Sequence, residues 1–239
     1  MNIPFFYLRS PGDDPLQIAL DEDTSRHVVQ VLRFKPGEQL RLTDGLGQLL
    51  TAELKEASKK KCVVRVIESR HIAKGSNHLT VAISLLKNTS RFEWFIEKAT
   101  ELGITEIIPL ISERTEKQFF RSDRMKTIAI SAMLQSQQAW LPLLREPLRF
   151  TDVLAESNAQ DHKFIAHCLN DDKRPLPEAL VSAPGSRVIL IGPEGDFTAQ
   201  EIDLALSRHF IPVSLGDTRL RTETAGMMAA VLMKMIAGN

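Results

Sequence analysis

Over the first seventy residues apolar and polar positions alternate with a period of two, the spacing of half-buried strands. Gln-Leu-Arg-Leu-Thr at 39–43 is followed by Asp44-Gly45, whose glycine accepts the positive φ of a tight turn. Residues 49–55 and 62–68 continue the pattern, the latter reading Cys-Val-Val-Arg-Val-Ile-Glu. These short strands predict a small β-barrel or sandwich. One helix interrupts them. Asp23 or Thr24 can cap it, Val28, Val29, Val31 and Leu32 would face inward, and Pro36-Gly37 would stop it.

Beyond the small, polar stretch Ala73-Lys74-Gly75-Ser76-Asn77 the period changes. Residues 81–86 form a short buried-strand pattern. Ser90 and Glu93 have capping-box spacing, and Phe92, Phe95, Ile96, Ala99 and Leu102 recur as on one helical face until Gly103. Residues 104–110 read as the next strand and 124–137 as a helix, with further strands at 164–167, 188–191 and 212–215. Thr198 and Glu201 open a helix that runs to about His209, and Thr222 a last one to about Ile236. Strands alternating with helices predict an α/β domain with a mainly parallel sheet. The expected division is residues 1–72 and 73–239.

Composition narrows the picture. The 239 residues are 43% hydrophobic and 25% charged, with 30 basic side chains balancing 30 acidic ones, as in a folded globular chain. The longest apolar run, 225–233, is far shorter than the roughly 20 residues that span a bilayer. The start, Met1-Asn2-Ile3-Pro4-Phe5-Phe6, lacks the pattern of a secretory signal, so a cytoplasmic location is expected. Cys62 and Cys168 form no CxxC pair and the six histidines no HExxH, so no metal site is expected. Zero net charge argues against indiscriminate nucleic-acid binding but leaves room for a local basic face.

Two loops leave short apolar strands and enter helices, the position where open α/β sheets bind ligands. In the first, Ile191-Gly192-Pro193-Glu194-Gly195-Asp196-Phe197, glycines allow close backbone approach, Pro193 stiffens the turn and Glu194 offers an acceptor. An ordinary strand-to-helix connection is the alternative. The second, Leu215-Gly216-Asp217-Thr218-Arg219-Leu220-Arg221-Thr222-Glu223-Thr224-Ala225, gathers charge ahead of an almost wholly apolar helix. Glu223 suits the helix dipole as a capping group. Arg221 opposes that dipole, so it must pair with Glu223 or bind an anion. GxGxxG, GxxxxGK[ST] and GxSxG are all missing, which removes the usual dinucleotide, P-loop and serine-hydrolase readings.

The two loop motifs resemble the paired signature of the RsmE family, bacterial small-subunit (16S) ribosomal RNA uridine-N3 methyltransferases of the SPOUT class. Lys98-Ala99-Thr100-Glu101-Leu102-Gly103 with Pro109 and Ser112-Glu113-Arg114 is similar to a further family block, and His27 with Val31-Leu32-Arg33, Pro36-Gly37 and Asp44-Gly45 to another. The resemblance spans nearly the whole chain. It implies an N-terminal PUA-like β-barrel that binds RNA, a SPOUT-type α/β domain with a C-terminal trefoil knot, S-adenosylmethionine as cofactor and a homodimer.

By the same resemblance Leu190, Ile191, Gly192, Pro193, Glu194, Gly195, Leu215, Gly216, Leu220, Arg221, Thr222 and Thr224 would wrap the cofactor. His167 joins them as a candidate, with a plain strand-end histidine as the other reading. Arg221 would stabilise charge on the uracil oxygens, and Glu194 or Glu223 would accept the N3 proton, solvent being the alternative. Arg9, Arg26, Arg33 and the run Lys59, Lys60 and Lys61 are the candidate RNA contacts, although the lysine run also suits a solvated turn. Two departures stand out: Asp196 replaces a second glycine, and Leu134-Gln135-Ser136-Gln137-Gln138 lacks the glutamate and arginine of the usual EQSxR. The rival readings are methylation of another RNA target, such as a ribose 2′-hydroxyl, and a non-catalytic ribosome assembly factor.

Overall fold

Alternation in the first part of the chain closes into one five-stranded sheet. The computed structural model describes residues 3–9, 14, 16–169, 172–180 and 185–237. Strands β1 (Phe5–Tyr7), β2 (Gln17–Ala19), β3 (Gln39–Thr43), β4 (Gln48–Glu56) and β5 (Val63–His71) lie in the order β1-β3-β4-β5-β2. Only the β1–β3 pair is parallel. The period-two side chains Leu40, Leu42, Leu50, Ala52, Leu54 and Val64 fill its core together with Ile18 and Val28.

Helix α1 (Glu22–Arg26) departs from its predicted form at both ends. Asp21, not Asp23 or Thr24, is the cap, its carboxylate accepting from the Thr24 amide at 2.8 Å. The helix then widens into a π turn over His27–Val31, closed by the Leu32 amide on the His27 carbonyl at 3.0 Å. That turn holds one residue more than an α turn, so Val28 stays buried while Val31, expected inside, is 65% exposed.

The chain divides into two compact units, Met1–Lys74 with Met133–Leu141, and Gly75–Ala132 with Pro142–Asn239. Met133–Leu141, which the sequence leaves in the second part, groups with the first. Its reason is hydrogen bonding: the Ala139 carbonyl accepts from the Gly47 amide at 2.9 Å, the Gly45 carbonyl accepts from the Leu141 amide at 2.8 Å, and the Trp140 indole donates to the Ile72 carbonyl at 2.9 Å. Gly47 must be glycine here, because a Cβ would lie 2.5 Å from the Trp140 ring.

The second unit is built on parallel pairing throughout its described ladders. Its strands are β6 (Leu79–Ser84), β7 (Glu106–Ile111), β8 (Leu143–Leu144), β9 (Leu148–Arg149), β10 (His162–Ala166), β11 (Arg174–Pro175), β12 (Arg187–Ile191) and β13 (Ile211–Ser214). They follow the order β11-β13-β10-β12-β6-β7-β8, with β9 also on β7. Strands β6 and β12 are buried at every position, as a parallel sheet covered on both faces requires. Helices α4 (Phe150–Glu156) and α6 (Ala199–Ser207) supply Phe150, Val153, Leu154, Ile202 and Ala205 to one core cluster with Ile165, Val188 and Leu190.

Helices α2 (Thr89–Glu101) and α7 (Thr222–Ala237) pack on each other, and α7 packs also on β6 and β12. The face of α2 is as the spacing predicts, with Phe92, Phe95, Ile96 and Ala99 buried. Its cap is not. Asn88 accepts from the Ser90 amide at 3.0 Å, and Glu93 instead takes Arg124 of α3 (Ser122–Gln135) in a two-point contact that holds the Glu93 carboxyl below the ordinary range. The Thr198–Glu201 capping box of α6 is formed in both directions. Short elements such as β8, β9, β11 and the one-turn α5 (Leu176–Ala179) have too few residues to show a period.

Close packing of α7 has a measurable consequence. A Cβ on Gly226 would lie 2.8 Å from both Ile83 Cδ1 and the Phe95 ring. Gly226→Val should therefore destabilise the protein by about 1–3 kcal/mol through overpacking. Gly226→Ala should cost less, because helix propensity returns about 1 kcal/mol. Thermal melting of both variants checks the order; a valine variant as stable as the parent would show that α7 sits more loosely than described.

Candidate active site

Three neighbouring strands, β13, β10 and β12, end side by side, and the segments that leave them wall one cavity of about 780 Å³. After β10 come His167, Cys168 and Leu169; after β12, Gly192, Pro193, Glu194 and Asp196; after β13, Leu215 through the start of α7. The volume falls within the range of about 300–1,000 Å³ usual for small-molecule sites, at the strand ends where open α/β sheets place them.

The β12 loop is held in several places. Phe197 is buried and packs on Phe150 with ring centroids 5.3 Å apart, anchoring the loop to the core. A Cβ on Gly192 would crowd the Phe197 ring and amide at 3.2 Å, so this glycine permits the chain to fold over its own anchor. The Gly195 carbonyl accepts from the Arg114 guanidinium at 2.7 Å. Asp196 stands at φ +63, the left-handed conformation that glycine adopts most easily and aspartate tolerates. Its side chain adds what glycine lacks. One carboxylate oxygen accepts from the Cys168 amide at 2.7 Å and the other from the Phe197 amide at 2.8 Å, so two walls of the cavity are tied by one residue.

On the opposite wall Gly216 has φ +121, and a Cβ there would meet no atom within 4 Å. Lys173 donates to the carbonyls of His167 at 2.9 Å and Leu169 at 2.6 Å, fixing the segment after β10. Helix α7 begins where the Arg221 carbonyl accepts from the Ala225 amide at 2.8 Å. Arg221 is thus the cap position, one residue earlier than predicted, and Thr222 lies buried inside the first turn.

Of the residues singled out in the sequence, His167, Ile191, Gly192, Pro193, Glu194, Leu215, Gly216, Leu220, Arg221 and Thr222 line this cavity. Leu190, Gly195, Glu223 and Thr224 are not part of its lining. Leu190 points into the core because successive strand residues face opposite sides. Thr224 is exposed, whereas Glu223 is buried and faces Arg91 of α2, its carboxylate 3.6 Å from Nε. Of the two alternatives for Arg221, pairing with Glu223 or binding an anion, the first is taken instead by Arg91, which leaves the second. Cys168, Leu169, Lys173, Asp217, Thr218 and Arg219 were not singled out as ligands, yet they line the cavity. Asp217, Thr218 and Arg219 lie inside the charged loop motif and could have been found there; Lys173 carries no such signal.

In the first unit Arg9, Arg26, Arg33, Lys59, Lys60 and Lys61 are all exposed. Arg26 is matched by Glu22 at 2.8 Å and Asp23 at 3.8 Å, so its charge is partly offset. Among the described residues no group of three or more His, Cys, Asp or Glu side chains is arranged to hold a metal ion, and no helix is long and apolar enough to cross a membrane.

Comparison with known proteins agrees with this layout. Residues 73–234 match the RNA methyltransferase domain family, and residues 20–67 the RNA methyltransferase PUA domain. A ribosomal RNA small subunit methyltransferase E from Rickettsia conorii is 28% identical, over 98% of this chain and 96% of its own. A probable rRNA methyltransferase from Porphyromonas gingivalis has a solved structure that superposes with a TM-score of 0.90 at 36% identity, covering 98% of both chains. A ribosomal RNA small subunit methyltransferase E from Neisseria gonorrhoeae, solved bound to S-adenosyl methionine, superposes with a TM-score of 0.83 at 29% identity, again over 98% of both.

The Asp196 clamp can be separated from its backbone conformation. Asp196→Gly keeps the left-handed φ and loses both hydrogen bonds, whereas Asp196→Ala loses the bonds and adds about 1 kcal/mol or more of backbone strain. Both should speed amide exchange at Cys168 and Phe197, and the alanine variant should melt lower. Unchanged exchange at both amides would mean the carboxylate ties nothing together.

Proposed function

Because the chain belongs to the family of ribosomal RNA small subunit methyltransferase E, with a PUA-like N-terminal domain and an α/β methyltransferase domain, we propose that it transfers a methyl group from S-adenosylmethionine to N3 of a uridine in small-subunit (16S) ribosomal RNA. The observation that carries this reading is that Arg221 and Glu194 share the walls of one cavity with two glycine-containing loops.

The residues present fit the cofactor. Gly216 offers bare backbone to open space, Leu169, Ile191 and Leu220 supply apolar surface for a flat ring, and main-chain groups of the two loops supply hydrogen-bonding edges. S-adenosylmethionine, when bound, supplies a methyl group already activated on a sulfonium. The protein's own part is alignment and charge. Uridine N3 has no usable lone pair until its proton leaves. Glu194, on the cavity wall, is the proposed acceptor of that proton; Glu223, engaged by Arg91 outside the lining, is not. Arg221 cannot act as a base, since guanidinium stays protonated, and its fork stabilises the negative charge that moves to the uracil oxygens as the proton departs.

The rest of the reading follows from the family. The N-terminal unit, about residues 1–72, would contact RNA through Arg9, Arg33 and the lysines 59–61. The insertion of β12 between β6 and β10 and the packing of α7 across both β6 and β12 support a trefoil knot in the C-terminal part. Helix α7 leaves Met228 40% and Met235 74% exposed, which supports a homodimer with this helix at its interface. A small-subunit ribosomal RNA substrate is the support for a cytoplasmic location.

Mass spectrometry of small-subunit RNA from a deletion strain tests the reaction: a missing uridine base methyl is expected, and a missing ribose methyl or no change would overturn it. Cofactor binding has a built-in reporter. Cys168 is exposed on the cavity wall and Cys62 is buried, so a thiol reagent should label Cys168 alone and S-adenosylhomocysteine should slow it. Labelling indifferent to that ligand would place the cofactor elsewhere. Arg221→Ala should lower turnover about 10²- to 10³-fold with cofactor affinity nearly intact, and Arg221→Lys should recover only part. A defect that vanishes at saturating cofactor would instead make Arg221 a cofactor contact.

A further inference from the structure

Next to the cofactor cavity the row of strand ends continues. Strand β6 pairs with β12 in parallel register, Ile83 opposite Ile191, so the segment leaving β6 emerges beside the loop that carries Glu194. Together with Lys117, which follows β7, these segments wall a second cavity of about 520 Å³, and Glu194 lines both cavities. The second cavity differs in chemistry from the first. It has no large apolar side chain; its walls are Lys87, Asn88, Thr89, Ser90, Arg91, Lys117 and Glu194. Such a lining suits a charged, hydrated group rather than an aromatic ring.

We propose that this cavity receives the target nucleotide, with its backbone phosphate held by Lys87, Arg91 and Lys117 and its base turned toward Glu194. The inference rests on the methyltransferase reading above and names the acceptor subsite for it. Each cation is available to a phosphate. Lys87 is 72% exposed and pairs with Glu116, itself 66% exposed, at 2.7 Å; such a surface pair is worth little and exchanges readily. Glu116 beside it, and Glu194 at longer range, hold the Lys87 ammonium above the ordinary lysine range, so it is charged at any working pH. Arg91 lies 3.6 Å from the Glu223 carboxylate at Nε, beyond hydrogen-bond distance, and its side chain is 38% exposed, so its guanidinium fork can also take a phosphate. Among the described residues Lys117 is exposed and has no ion-pair partner. Glu194, the one carboxylate on the wall, stands where the two cavities meet, the place at which an acceptor base must face the donated methyl.

The test uses full-length protein saturated with S-adenosylhomocysteine and small ribosomal subunits from a strain lacking the enzyme. Affinity is measured across a salt series for the parent, for Lys87→Ala with Lys117→Ala, for Arg91→Lys, and for Lys126→Ala, an exposed lysine on α3 away from both cavities. The double variant should bind the subunits about 10- to 100-fold more weakly, and its slope of log affinity against log salt should be shallower by up to about 0.7, the contribution of one phosphate that is no longer neutralised. Its affinity for S-adenosylhomocysteine and its melting temperature should match the parent. Arg91→Lys should fall between, keeping the charge without the fork. In turnover assays the double variant should show a raised KM with kcat less affected.

A double variant whose affinity and salt slope equal those of Lys126→Ala would overturn the proposal. So would a loss of S-adenosylhomocysteine binding in step with the loss of subunit binding. The two readings can fail separately. If the parent binds subunits but transfers no methyl, the methyltransferase reading falls, while the salt slopes still decide whether this cavity holds the RNA backbone.

Discussion

Strand β12 is hydrogen-bonded on both sides, to β10 through five residue pairs from His162–Arg187 to Ala166–Ile191 and to β6 through five from Leu79–Arg187 to Ile83–Ile191. Both cavities depend on this double pairing. One lies over the ends of β13, β10 and β12, the other where β12 meets β6, and Glu194 borders each because it leaves the shared strand. Parallel pairing is what makes the arrangement work. All the carboxyl ends lie along one edge, so loops distant in sequence are delivered to one place without any of them having to be long. The cost of such a sheet is that both faces must be covered, and the Phe150–Phe197 contact on one face and the α2–α7 pair on the other serve that need.

Charge within the site follows from the same geometry. An arginine at the start of a helix opposes the dipole, and in the sequence the nearest remedy is Glu223, two residues on. In the folded chain that remedy goes to Arg91, across the α2–α7 contact, and Arg221 is left exposed on the cavity wall. The pairing makes physical sense. Glu223 in the first turn of α7 is favoured there by the dipole, and its burial requires a cation, which α2 can supply from its own first turn. Two adjacent helix starts thereby settle one carboxylate and release one guanidinium toward ligand.

How much of this could be seen in the sequence depended on the length over which each signal runs. The thirteen residues of α2 carry four buried apolar positions at helical spacing, and the Thr198–Glu201 box is a local bond pair, so both are legible from residue order alone. Asn88 and Asp21 took the caps from their better-spaced neighbours because capping is decided by backbone conformation at one residue, which several polar residues in a row leave open. The π turn that turned Val31 outward adds one residue to a helix and leaves no mark in the hydropathy pattern. The site was legible as two loops; that Leu190 and Glu223 face away from it required knowing which side of a strand and which neighbouring helix each one meets.

The return of Met133–Leu141 to the first unit bears on how such a protein can be cut and recombined. Because the backbone passes between the two units three times, near residues 74, 132 and 141, they are not consecutive modules separable at a single junction. A fragment ending at Lys74 would strip the Asp44-Gly45 turn of the carbonyl that receives the Gly47 amide, and would leave Gly47 facing the gap vacated by the Trp140 ring. Exchange of the first unit between related chains must therefore carry the nine residues Met133–Leu141 with it, although they lie about sixty residues further along the chain.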